Sequence, residues 1–227
     1  MEESNIHNGL KGGAGDFILA VITTPGSFPG EADYLEGLLE AGLQKLHLRK
    51  PGAERGKLEE LLAALSPRWH SQLVLHGSRE LAAQYKIPQI HGRVPFRDGL
   101  GWSGGGAGTA AVGEGMAVST SVHSWGEVKE LPDGLAYTFL SPLFDSISKP
   151  GYAANNVLLR RPAGAQPTKV IGMGGIGEHT ILEVMRHGWD GAAVLGWIWE
   201  EPREAVRRYE QLKKIITTYG PIERDGR

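Results

Sequence analysis

Four of the chain's eight histidines, His47, His76, His91 and His123, fall at or near the ends of short apolar runs. Imidazole titrates near neutral pH and is the commonest metal-ligating side chain, so two chemistries are open to such a set. Converging neutral rings are usual ligands for zinc in barrel hydrolases. Here no His-x-His pair occurs and no acidic residue closes a run to complete a coordination shell, so no metal is expected. In the other reading two or three rings, His76 and His91 among them, are satisfied by hydrogen bonds inside the fold and one does chemistry.

A second group suits an anion. GMGGIGEHT (172–180) ends an apolar run and opens a helical pattern. Its glycines let backbone N–H groups at a helix start face a phosphate, or else simply form a tight connection. Gly196 closes the next run at AVLGW, and DSISK (145–149) adds Ser146, Ser148 and Lys149. Arg49 and Lys50 end the run KLHLRK. Each cation alone suits a solvated surface, but their shared address at the ends of runs favours ligand contact. Gly172, Gly174, Gly175 and Gly177 lack the dinucleotide fingerprint spacing, and no Gly-x-Ser-x-Gly elbow exists for acyl transfer.

What positions these residues is an alternation of β-branched apolar runs with helical patterns. Eight runs are predicted as strands: 18–23, 45–50, 72–77, 89–92, 117–123, 135–142, 169–174 and 191–196. Eight is the number of a (β/α)8 TIM barrel, whose active sites form at the C-terminal ends of the strands and whose phosphate sites often use the last two loops. Helices are predicted over 31–42, 56–69, 78–86, 124–131, 177–188 and 201–216. After the fourth strand the expected helix is missing: residues 93–116 are dominated by Gly, a degenerate crossover whose order the sequence does not disclose. The segment 143–168 is long, polar and punctuated by Gly, Pro and Asn, as functional loops are.

The composition narrows the classes further. A chain of 227 residues suits one barrel domain, read here as 17–216, with a disordered leader over 1–16 and a tail over 217–227. A formal charge of −2 provides no basic field for nucleic acid, and no apolar stretch reaches membrane-span length, so neither partner is expected. The absence of Cys excludes a thiolate nucleophile and fits a cytoplasmic protein. Trp102, Trp125, Trp197 and Trp199 read as exposed, available for a homo-oligomer interface or for packing at the barrel edge.

In order along the chain, HLRKP, VSTSVHS, SPLFDSISK, GMGGI and AAVLG resemble the blocks of the thiamine phosphate synthase/TenI superfamily over roughly 17–216. The resemblance implies a (β/α)8 barrel and one of two activities. The synthases join a pyrimidine diphosphate to a thiazole phosphate with Mg²⁺; the TenI branch tautomerises a thiazole carboxylate phosphate without metal. By the same resemblance the amides of Gly174, Gly175 and Ile176 bind the phosphate, with Leu195 and Gly196 in place of the usual Val-Ser. Ser146 and Ser148 replace two Thr beside Lys149, and Ser121 and His123 match Ser-x-His, the His being the tautomerase general acid/base.

Three blocks depart from the synthase pattern. Its Gln-x-Arg-x-Lys is His47, Arg49 and Pro51, with Lys50 the only substitute for the diphosphate-binding Lys. Its Asn-Asp-Arg is His76, Gly77 and Ser78, and its second metal carboxylate is Phe96, with Asp98 displaced. Loss of both carboxylates removes the Mg²⁺ that would neutralise a departing diphosphate. The expectation is therefore a thiazole tautomerase with no cofactor, acting on a small phosphorylated thiazole, in which Arg49 faces the carboxylate, Ser121 and Lys149 orient the substrate, and His123 relays the proton. A Mg²⁺-dependent synthase using Asp98 or Asp145 is the alternative, and a non-catalytic thiamine-phosphate binder the third reading.

Overall fold

The computed structural model describes residues 17–93, 115–144 and 156–224. Eight parallel strands close in sequence order into one barrel. They are β1 (Ile18–Ile22), β2 (Lys45–Leu48), β3 (Leu73–His76), β4 (Gln89–His91), β5 (Ala117–Val122), β6 (Tyr137–Leu140), β7 (Val170–Met173) and β8 (Gly191–Val194). Each falls inside a predicted run and is shorter than it, because the ladder stops before the residues that turn into the mouth. Closure between β8 and β1 is tight. A Cβ on Gly191 would lie 2.3 Å from the Ile18 carbonyl oxygen, so only Gly fits there.

The surrounding helices are α1 (Glu31–Glu40), α2 (Arg55–Ala64), α3 (Arg79–Gln84), α4 (Trp125–Lys129), α5 (Asn156–Leu159), α6 (Ile181–Arg186), α7 (Gly196–Trp199) and α8 (Ala205–Arg224). The predicted helix at 56–69 is divided, with a 3₁₀ turn over Pro67–Gln72, because Ser66 precedes a proline and leaves the α region. The short α5 and α7 carry too few residues for a periodic signal. Helix α8 runs into the segment expected as a tail. Most of the crossover at 93–116 lies outside the described residues. No helix among them is long and apolar enough to cross a membrane.

Alternation along each strand sorts the residues into two layers. Leu19, Val21, Leu46, Leu48, Leu73, Leu75, Val118 and Val122 face the helices in the main core. The opposite set fills the lumen, and its two sides differ. Ala20, Ile22, Tyr137, Phe139, Ile171 and Ala193 form a small apolar cluster, whereas β2 to β5 bring in Lys45, His47, Gln89, His91, Ser119 and Ser121. His47 on β2 touches Tyr137 and Phe139 on β6, which is not its neighbour in the sheet, so these contacts cross the lumen.

Trp125 and Trp199 are buried rather than exposed. Their indole N–H groups donate to the Leu158 carbonyl at 2.8 Å and the Ile22 carbonyl at 2.7 Å, so both are core residues with satisfied polar tips. Trp102 lies outside the described residues, and Trp197 is half-buried against Gly177.

Candidate functional site

A cavity of about 1040 Å³ opens at the C-terminal mouth of the barrel. Of the residues singled out in the sequence, Arg49, Lys50, His76, His91, Ser121, His123 and Leu195 line it. His47 is fully buried beneath it. Gly174, Gly175, Ile176 and Gly196 belong to the neighbouring loops after β7 and β8 but not to its wall. Ser146, Ser148 and Lys149, with Asp98 and Asp145, lie outside the described residues.

His123 follows β5 and projects into the cavity. Its Nδ1 lies 3.0 Å from the Ser141 carbonyl oxygen, which can only accept, so Nδ1 carries the proton. In the neutral ring that leaves Nε2 with a lone pair. The backbone N–H of His123 donates to Glu127 Oε2 at 3.0 Å, tying the strand end to α4. A fixed tautomer with a basic nitrogen in an open cavity can accept and return a proton.

The three other rings form a network. His47 Nδ1 lies 2.9 Å from His76 Nε2, and His47 Nε2 lies 2.6 Å from the Tyr137 hydroxyl. His91 Nδ1 meets Ser119 Oγ at 3.0 Å and His91 Nε2 meets Ser121 Oγ at 2.9 Å. The Ser119 Oγ also lies 3.4 Å from the Ile90 carbonyl oxygen, so both ring nitrogens of His91 are engaged by hydroxyls of β5. His76 and His91 stack with centroids 4.3 Å apart. Burial, with the neighbouring rings and Lys45 adding to it, holds His47 well below the usual imidazole range. Burial, then His91 and Arg49, lowers His76 to about 2; burial, then Arg49, lowers His91 to about 3. All three are neutral at physiological pH. Burial also raises the Tyr137 phenol.

The two cations behave differently. Thr23 pins the Arg49 backbone, its hydroxyl donating to the Arg49 carbonyl at 3.2 Å and accepting from the Arg49 N–H at 2.9 Å, so the guanidinium is carried to the rim. Lys50 borders the cavity, but its ammonium is engaged by the protein. Its Nζ donates to the carbonyls of Thr24 (3.0 Å) and Gly26 (2.9 Å) and to Glu31 Oε1 (2.5 Å). Burial raises the Glu31 carboxyl against the pull of this ammonium.

On the far side, Gly174 and Gly175 both take positive φ, 101° and 61°, which turns the chain between β7 and α6. The β6 loop braces that turn: Leu143 N–H donates to the Met173 carbonyl at 2.9 Å and Phe144 N–H to the Gly174 carbonyl at 3.2 Å. Among the described residues no acceptor meets the N–H groups of Gly175 and Ile176.

Sequence reasoning missed Tyr137, Ser119, Gln89, Thr23, Glu31 and Ser141 as supporting groups. The alternation in AVSTSVH carries a signal for Ser119, since it shares a face with Ser121 and His123; the partners on other strands leave none. Among the described residues the donor set does not suit Mg²⁺: no carboxylate among them lines the cavity, and imidazoles and a guanidinium face it near β3 and β4.

A family model described as thiamine monophosphate synthase matches residues 19–198. A solved thiamine phosphate pyrophosphorylase from Bacteroides thetaiotaomicron is 28% identical, with 89% of this chain and 98% of that chain covered and a TM-score of 0.71. One from Pyrococcus furiosus is 18% identical, covering 90% and 98%, with a TM-score of 0.67. A (S)-3-O-geranylgeranylglyceryl phosphate synthase from Thermoplasma acidophilum shares the fold at 12% identity, covering 89% and 94%, with a TM-score of 0.56.

Proposed function

Because the chain belongs to the thiamine phosphate synthase/TenI superfamily, whose members are enzymes of thiamine biosynthesis, we propose that it tautomerises a thiazole carboxylate phosphate by proton transfer at His123. The observation that carries this reading is the locked ring: Nδ1–H held by the Ser141 carbonyl leaves Nε2 as the base inside the cavity. His123 takes a proton from the thiazole ring carbon, becomes imidazolium, and returns the proton to the exocyclic carbon. The aromatic isomer forms with no atom gained or lost.

Arg49 faces the substrate carboxylate, Ser121 and Lys149 orient it, and the amides of Gly174, Gly175, Ile176 and Gly196, with Leu195 and the hydroxyls of Ser146 and Ser148, surround the phosphate. This transfer expels no diphosphate and so requires no Mg²⁺. The protein acts without nucleic acid or membrane, in the cytoplasm.

The test is NMR turnover with purified protein, supplying the thiazole carboxylate phosphate in one sample and pyrimidine diphosphate, thiazole phosphate and Mg²⁺ in another. Aromatisation in the first alone, reduced about 10³-fold in His123→Ala, is the expected result. A second reading, synthase activity, is favoured by the 28% identity to the Bacteroides pyrophosphorylase. Diphosphate release in the second sample would establish it and overturn the first.

A further inference from the structure

We propose that His47, His76 and His91 form a three-imidazole site for a divalent d-block cation, Zn²⁺ in preference to Mg²⁺, with its open coordination position facing the cavity. The site goes beyond the proton transfer at His123, which needs no ion. One nitrogen from each ring lies within 4.8 Å of the others. Three ligands of a tetrahedral zinc at roughly 2.0–2.1 Å stand a little over 3 Å apart. Bringing the rings to that geometry therefore takes side-chain shifts rather than rearrangement of strands.

The fold supplies the convergence that the sequence spacing lacks. β2, β3 and β4 are consecutive staves, His76 pairs directly with His91 in register, and all three rings sit on the lumen face. Two of them already have the supporting contacts that orient a metal-bound imidazole. With His47 Nδ1 as ligand, its Nε2 remains on the Tyr137 hydroxyl at 2.6 Å. With His91 Nε2 as ligand, its Nδ1–H remains on Ser119 at 3.0 Å. The ion replaces the hydrogen bond between His47 Nδ1 and His76 Nε2 and the one between Ser121 and His91 Nε2, each 2.9 Å long. The proton between His47 and His76 moves to the far nitrogen of the ring that carries it, so no net proton release is required.

The chemistry of the ligands chooses the ion. Three nitrogen donors suit Zn²⁺, Co²⁺ or Ni²⁺, while Mg²⁺ demands oxygen ligands. Among the described residues no carboxylate reaches the cavity, and Arg49 stands nearby, so an anion completes the shell. Hydroxide, or the carboxylate or phosphate of whatever fills the cavity, meets that need.

Chelator-stripped full-length protein is titrated with Co²⁺, read by the ligand-field bands of a four-coordinate ion, with Zn²⁺ and Mg²⁺ as competitors. One equivalent is expected to bind, displaced by Zn²⁺ and not by Mg²⁺. Affinity should fall at least about tenfold in His76→Asn and in His91→Asn, each checked for folding, and hold in His123→Ala and in the surface variant His179→Ala. Paramagnetic shifts of three imidazole signals in the unsubstituted protein give the same answer without relying on any variant. Absence of the bands, or equal affinity in His76→Asn, overturns the site. Turnover in the chelator-stripped protein separately tests the reading at His123, so either can fail alone.

Discussion

The two halves of the barrel mouth are built on opposite principles. On β2 to β4 the polar groups bond to one another: His47 to His76 and Tyr137, His91 to Ser119 and Ser121, Lys50 to Glu31 and two carbonyls. On β5 to β8 they are fixed from behind and left open in front, with His123 held by Ser141 and the N–H groups of Gly175 and Ile176 without acceptors among the described residues. A self-satisfied half keeps its rings paired until a cation displaces the hydrogen bonds between them, whereas a half with open donors and acceptors has groups to offer a phosphorylated ligand directly.

The largest expected effect tests the closed half by pH. His76 and His91 are held neutral to about 2 and about 3, against about 6.5 in an unfolded chain. A lowered imidazole pKa means the unfolded state binds more protons below 6.5, so the stability these rings confer is present above that pH and is lost as pH falls towards 3. Each ring contributes a slope of about 1.4 kcal/mol per pH unit, so these two rings should cost metal-free protein about 5 kcal/mol between pH 6.5 and 4.5, and the lowered His47 adds to the loss. Urea unfolding at the two pH values measures it. The double variant His76→Asn/His91→Asn should lose most of that slope; an unchanged slope would place the acid sensitivity elsewhere.

The next effect separates a ligand-binding Lys50 from a structural one. The side chains of Lys50 and Glu31 are 2% and 4% exposed, and Glu31 Oε2 already lacks a partner. Lys50→Met should cost about 3 kcal/mol by stranding a buried carboxylate, and Glu31→Leu/Lys50→Met should recover most of it. Affinity for the phosphorylated thiazole should stay within about twofold in the double variant. A large loss of affinity there would give Lys50 the family's diphosphate-binding role and open the closed half to a ligand.

The same division governs what the sequence disclosed. The barrel was legible because every stave carries its own local signal, such as LAVI (19–22) or LVLH (73–76), and the breaks at Pro67 and the brevity of α7 are matters of boundary. His123 was legible as a residue at a strand end and was paired with Ser121 by the family resemblance; the structure puts both on the cavity wall. The imidazole network was not legible, because its members are contributed by β2, β3, β4 and β6 and meet only when the sheet closes. The missing His-x-His pair argued against convergence only for residues sharing a strand; parallel staves in register achieve it across strands. Exposure of Trp125 and Trp199 was misjudged for a related reason: the carbonyls that satisfy their indoles belong to Leu158 and Ile22, distant in sequence.

The smallest effect asks whether the loops after β7 and β8 hold one anion together. Gly175 at φ 61° is left-handed, so Gly175→Ala should cost about 1 kcal/mol of stability whether or not a ligand is bound. Gly196 has no positive φ, and a Cβ there meets nothing within 4 Å, so Gly196→Ala should leave stability within about 0.5 kcal/mol. That empty space is where a phosphate on the Gly196 amide would sit, and an added methyl would crowd it. Titration with inorganic phosphate should then show about fivefold weaker binding in Gly196→Ala, equivalent to about 1 kcal/mol. Weakening in Gly175→Ala alone would put the phosphate on the first loop only, and the open half would be narrower than the paired loops suggest.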